Sequence, residues 1–257
     1  MKTYLTLLFF TLTAFHAQSA DAISANDLAA KLSAQQQDGS SVVRLKMAVQ
    51  GAAKTTLQLQ IKQRRTNTST EVIYLVLWPK ERAGEAVLLR KSGNQAATGS
   101  IFTPPDKIST LDSSQMKEAL FGSDLTYADV LENFFAWQNQ AIVGTEIVNR
   151  VSCQILESKP GKGQRSNHAA VRTWVDARRL VPLRIEKYNA AGQVTRRIDS
   201  GRIVTDDIQR HVPTGLTVSD LQKGSVTELE GSSLKHDVTF TAQEFTPAGL
   251  QQKSGSR

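Results

Sequence analysis

Residues 41–50, SVVRLKMAVQ, and 55–64, TTLQLQIKQR, decide how this chain folds. Val43, Leu45, Met47 and Val49 share one side of an extended chain, with Arg44 and Lys46 on the other. Leu57, Leu59 and Ile61 alternate with Gln58, Gln60 and Lys62 in the same way. A period of two with one apolar and one wet face marks an antiparallel sheet. EVIYLVLWP (71–79) drops the alternation, which predicts a strand covered on both faces. EAVLLRK, ATGSIFT, AIVGTEIV, VSCQILES, AAVRTWVD, VPLRIEKY, QVTRRID, GRIVTDDI, LTVSD, SVTELE and DVTFTAQ follow, each bounded by turn residues. The expected class is α+β, mostly β: a single strongly curved antiparallel sheet, an unclosed β-barrel of about 11 strands, with helices covering its concave side.

Two stretches read as helices. In 24–37, SANDLAAKLSAQQQ, Leu28 and Leu32 are one turn apart and Ser24 or Asn26 can cap. In 120–135, LFGSDLTYADVLENFF, Thr126 and Asp129 have capping-box spacing, with Leu125 and Val130 placed as a staple. Tyr127, Val130, Leu131 and Phe134 then fall on one helical face, widened by Phe135 and Trp137. That face either plugs a core or roofs a hollow that something else enters.

The chain opens MKTYLTLLFFTLTAFHAQSADA: a lysine, a short apolar run and small residues, the pattern of a secretory leader over residues 1–20. The run falls short of the about 20 apolar residues that span a bilayer. No cysteine follows it to carry a lipid anchor, so a periplasmic, unanchored protein is expected. Residues 21–250 read as a single domain and 251–257 as a disordered tail. Cys153 is the sole cysteine, so no internal disulfide forms, and its strand-like setting predicts a small buried hydrophobe. The 31 basic and 24 acidic residues give +7 without a basic stripe, and with export this excludes nucleic acid as a partner.

Catalytic patterns are missing. No GxSxG elbow, phosphate loop or dinucleotide fingerprint occurs. His168, His211 and His236 stand apart, without metal-ligand spacing, and surface positions are expected for them. Asp206 and Asp207 would point opposite ways on a strand, and a strand–turn boundary is the ordinary explanation for the pair. Asp124 and Asp129 read as helix-start chemistry. Neither enzyme activity, nor a metal, nor a cofactor is expected. What remains is apolar surface: Leu45, Met47, Leu57 and Leu59 on the sheet, Trp78, Phe102 and Trp174 on other strands, and Phe121, Leu125, Tyr127, Val130, Leu131, Phe134 and Trp137 in the roof. These are the expected ligand-lining residues, for a lipid or an acyl chain.

GSDLTYADVLENF (122–134) resembles the Gly-Ser-Asp…Thr-Tyr-x-Asp motif of the outer-membrane lipoprotein-sorting-like family, which has the LolA/LolB-type fold. TWVDARRLVPLRIEKYNAAGQVTRRI (173–198) resembles that family's strand, Asp turn, Pro-Leu-Arg strand and Gly hairpin, and the similarity runs from about Val42 to Leu250. Where the family commonly carries several arginines before the motif, this chain has Lys107 and Lys117. The resemblance implies a periplasmic lipid-carrier domain over 21–250, an acylated lipoprotein or lipid as ligand, an inner-membrane transporter of the resistance-nodulation-division type and an outer-membrane acceptor as partners, and a monomer. A sensor or interaction module on the same fold is the alternative.

Overall fold

The computed structural model describes residues 23–36, 39–51, 54–93, 95–164 and 166–252. The leader expected over 1–20 lies outside them. The chain forms α1 (Ala25–Gln36), then β1 (Gly39–Gln50), β2 (Thr55–Arg65), β3 (Ser69–Trp78), β4 (Ala86–Ser92), β5 (Thr98–Thr103) and β6 (Lys107–Leu111). After a connector come β7 (Asn139–Val148), β8 (Val151–Lys159), β9 (Ala170–Asp176), β10 (Val181–Tyr188), β11 (Val194–Ser200), β12 (Ile203–Thr205), β13 (His211–Pro213), β14 (Gly215–Asp220), β15 (Ser225–His236) and α2 (Pro247–Gln252).

Thirteen strands make one antiparallel sheet in the order β6-β5-β4-β3-β2-β1-β15-β14-β11-β10-β9-β8-β7, and β12 and β13 pair as a separate ribbon. The count exceeds the expected 11 chiefly because residues 107–111, without apolar alternation, pair onto β5 as an edge strand. Conversely, 237–243 forms no strand; its end turns into a short 3-10 segment at Ala242–Phe245.

β6 and β7 are consecutive in the chain yet form the two edges of the sheet. Residues 112–138 must therefore cross one whole face. Following strand register across the sheet, this inner face carries Met47 of β1, Leu57 and Leu59 of β2, Thr227 of β15, Val218 of β14, Arg196 of β11, Lys187 of β10, and Val171 and Val175 of β9. The connector buries Met116, Leu120, Tyr127 and Leu131 against β1–β4. Further on, Phe134, Phe135 and Trp137 pack with Leu28 and Leu32 of α1 and with Leu156, Val171 and Val175.

β3 is covered on both faces, as its unbroken apolar run predicts. Val72, Tyr74 and Val76 join the inner cluster, while Ile73 faces outward with Ala86, Leu88 and Phe102, beneath Phe245 and Leu250 of the C-terminal segment. Arg64 lies over the Phe245 ring at 4.9 Å and Lys62 pairs with Glu244 at 2.7 Å. Gln251 and Gln252, read as part of a disordered tail, are helical, because Leu250 just before them is a buried anchor; 253–257 lie outside the described residues. A second outward cluster gathers Val148, Cys153, Trp174, Val181 and Leu183 beside Ile203 of the ribbon, so Cys153 is the buried hydrophobe its alternation implied.

Phe245→Ala should lower unfolding stability by about 3–5 kcal/mol, since it empties the centre of the outward cluster. A denaturant midpoint unchanged from the parent protein would show that the C-terminal segment is not part of the cooperative fold.

Candidate functional site

The GSD…TYxD segment forms no α-helix. Phe121 and Gly122 take left-handed backbone angles, with φ of 52° and 80°, which a right-handed helix cannot pass through. The capping box does form: Thr126 N–H donates to Asp129 Oδ2 at 2.8 Å and Asp129 N–H to Thr126 Oγ1 at 3.1 Å. It closes a turn instead of starting a helix. Tyr127 N–H donates to Glu118 O and Ala128 N–H to Met116 O, which ties the turn to the preceding arm of the connector.

The two aspartates of the motif dock this turn onto the inner face, while Ser123 and Thr126 bond within the turn. Asp124 N–H donates to Thr227 Oγ1 at 2.9 Å, Thr227 Oγ1 donates back to its carboxylate at 2.7 Å, and Ser225 Oγ donates to the other oxygen. Five strands away from β2, Asp129 receives Lys187 Nζ at 2.5 Å, Arg196 Nη1, and His168 Nε2 at 3.2 Å. Burial alone would raise the pKa of Asp129. Lys187, His168 and Arg196 outweigh it and hold the carboxyl well below its usual range. His168, expected in solvent, therefore lies mostly buried. On the other half of the sheet Arg65 donates to Val130 O at 3.1 Å and to Gln63 Oε1 at 3.2 Å. Burial lowers the pKa of Arg65 and pushes the neighbouring Tyr74 hydroxyl up to about 12, with the Arg65 charge opposing.

Ten of the fourteen expected lining residues come together on the inner face. Leu45, Met47, Leu57, Leu59, Phe121, Tyr127, Val130 and Leu131 share one cluster, and Phe134 and Trp137 the adjoining one, their ring centroids 6.2 Å apart. Leu125 is half-buried outside both. Phe102 and Trp174 face the opposite way: Phe102 lies against Phe245, and Trp174 donates Nε1–H to Glu146 at 2.8 Å. Both belong to strands covered on two sides, where apolarity does not reveal the face. Trp78 ends β3 at 49% exposure. The hollow imagined between roof and sheet is occupied by the roof's own side chains, Tyr127 and Leu131 being buried against β1–β4.

A cleft of about 430 Å³ opens beside this packing, between α1 and the end of the connector. Asn26, Ala29, Ala30, Ser33 and Ala34 of α1 form one wall, Phe135, Trp137 and Gln140 the other, with Asn67 of the β2–β3 turn at the margin. Gln140 organises that second wall: its Nε2 donates to the carbonyls of Phe134, Phe135 and Trp137. Asn133 Nδ2 donates to Ser33 Oγ at 2.9 Å, joining connector to helix. The small residues of α1 look in sequence like mere helix formers, so only their position opposite Trp137 identifies the cleft.

Two side-chain groups have the donor types for a metal ion, Asp129–Glu132–His168 and Asp206–Asp207–His236. Protein cations already occupy both: Lys187 and Arg196 on Asp129, and Arg210 on Asp206. His236, expected at a surface, is buried and bonded through Nδ1 to Asp207. The charged groups balance one another and hold segments in place.

A family model described as a “-like” uncharacterized protein matches residues 53–252. The chain belongs to that family. No curated protein matches the sequence. Among solved structures it is similar to a DUF1329 family protein from Desulfovibrio piger (TM-score 0.81, 20% identity), and to a domain assigned to outer membrane lipoprotein sorting from Vibrio parahaemolyticus (0.78, 18%). A LolA superfamily protein from Nitrosomonas europaea matches at 0.68 and 19%, and each of the three covers 88% of this chain and 98% of its own. The fold of these three proteins is thus shared over 88% of the chain.

Asp129→Asn would leave Lys187 and Arg196 buried without their anion and should cost about 3–5 kcal/mol. The contribution of a carboxyl with a depressed pKa is complete above its unfolded value of about 3.9 and is lost as pH falls through the folded one. Urea midpoints of parent and variant should therefore run parallel at neutral pH and converge only in acid. Convergence already at neutral pH would show that the Asp129 carboxylate does not carry the effect.

Proposed function

We propose that this protein is a periplasmic, non-enzymatic carrier that binds a lipid, or the acyl chains of a lipoprotein, and moves it toward the outer membrane. Its inner-membrane donor would be a transporter of the resistance-nodulation-division type, and its recipient an outer-membrane acceptor. The observation that carries this reading is the connector: a segment bearing Tyr127, Leu131, Phe134 and Trp137 that lies on an apolar sheet face and is fastened by side-chain hydrogen bonds and ion pairs at a few points. An acyl chain of about 14 carbons is on the order of 10 kcal/mol less favourable in water than in an apolar site, at about 0.8 kcal/mol per methylene. A carrier must match that gain and still release its load. A filled inner face does this if the chain enters at the α1 cleft and takes the place of the connector's side chains, with Leu45, Met47, Leu57 and Leu59 as the floor.

The same reading has the sheet curled as a half-open barrel around the connector. Asn67 and Gln140 border one cleft, although eight strand spacings, about 38 Å in a flat sheet, separate β2 from β7. Arg65 of β2 and Lys187 of β10 likewise hold the adjacent connector residues Val130 and Asp129. The absence of helical transmembrane segments among the described residues accords with a carrier free in the periplasm.

The packed inner face favours one rival, an interaction or sensor module whose core never opens. Ala30→Trp separates the two. Ala30 is an exposed wall of the cleft, so the substitution should leave the melting temperature nearly unchanged and weaken binding of a fluorescent fatty acid at least tenfold. Mass spectrometry of lipid extracted from protein purified out of its native envelope should find an acyl ligand. No extracted lipid, with fluorophore binding indifferent to Ala30→Trp, would leave the interaction module.

A further inference from the structure

Strand register sets the β7–β8 turn, the β9–β10 turn and the residues after β11 at one end of the sheet, on the neighbouring strands β11-β10-β9-β8-β7. Each of these places exposes an arginine: Arg150, Arg178 and Arg202. Strands about 4.8 Å apart put successive turns about 10 Å apart, so the three form a row. None makes an ion pair among the described residues, and most of the acids around them are engaged elsewhere. Asp176 binds Arg179 at 2.5 Å, Asp199 and Glu146 bind Arg184 at 3.0 and 3.7 Å, Asp206 binds Arg210 at 3.2 Å, and Asp207 holds His236. Two unpaired acids stand on β15 or just after it, two strands beyond β11: Glu228, on the wall of a cleft that Gly201 also lines, and Asp237, beside the exposed Lys235. Next to Arg150 stands Ile147, 73% exposed on the edge strand β7.

We infer that this end of the sheet docks on an anionic bilayer surface, with Arg150, Arg178 and Arg202 at the phosphates and Ile147 at the head-group boundary. The row fits a bilayer better than an acidic peptide. It follows turns, which form a protruding rim instead of a groove in which an extended peptide could lie. A bilayer needs only a field of anions and accepts a protruding apolar side chain. The inference stands on surface charge and register and does not depend on the carrier reading.

The test is co-sedimentation of the purified protein with vesicles of phosphatidylcholine alone and of phosphatidylcholine mixed with phosphatidylglycerol. Binding should favour the anionic vesicles and disappear in about 1 M salt, where the Debye length is about 3 Å. Arg150→Gln, Arg178→Gln and Arg202→Gln together should weaken it on the order of a hundredfold, at roughly fivefold per arginine. Lys80→Gln, Lys107→Gln and Lys162→Gln, combined at the opposite end of the sheet, should change it little. Circular dichroism confirms that both triple variants fold, and fatty-acid binding measured on both keeps the outcome separate from that of the cleft. Equal binding to neutral and anionic vesicles, or a loss confined to the lysine variant, would overturn the inference; the former would leave the arginine row to an acidic protein.

Discussion

A single buried carboxylate, Asp129, holds the two halves of this protein in one arrangement. Lys187 and Arg196 come to it from β10 and β11, and its backbone neighbour Val130 is held by Arg65 from β2. An ion cluster of this kind contributes little net stability compared with an apolar core, since desolvation offsets much of the attraction. Its effect is on uniqueness. Apolar side chains of the connector could slide over a sheet of Val, Leu and Met with small changes in energy, whereas an aspartate that must meet two cations allows one register.

The need for such a fixing follows from topology. An open sheet whose two edge strands are consecutive in the chain obliges the connection between them to cross a face. Residues 112–138 do so, covering the apolar face that alternation creates. Asp124 fastens the path near its middle, to Ser225 and Thr227 of β15, and Asp129 fastens it further on. The GSD…TYxD segment is thus a set of docking contacts. Its Tyr supplies apolar cover, its two Asp supply the anchors, and its Ser and Thr close the turn. The outer face is covered separately, by the C-terminal segment over β3–β5 and by the small ribbon near β9 and β10.

Structures sharing the fold at 18–20% identity show how little of it depends on particular side chains. Period-two alternation and turn placement suffice for the sheet. In this chain the openings and rims carry a cleft walled by alanines, amides and two aromatic rings, and a row of arginines without ion pairs among the described residues.

Sequence alone determined the parts governed by short-range physics. Strand alternation, the two-sided burial of β3, the first helix with Ser24 as its cap and the buried Cys153 were all legible, because a residue's neighbours two or four positions away settle them. The docking segment was visible as important but misread as a helix, since its capping box is real while the bonds that redirect it come from Glu118, Met116, Lys187 and Arg196. Phe102 and Trp174 went to the wrong face because a doubly covered strand carries no polarity signal. His168 and Arg65 gave no signal at all. Only the tertiary structure decided these, for one physical reason: the charge that fixes Asp129 and the ring that covers Phe102 come from residues remote in the chain, and no local pattern encodes a partner 58 or 143 positions away.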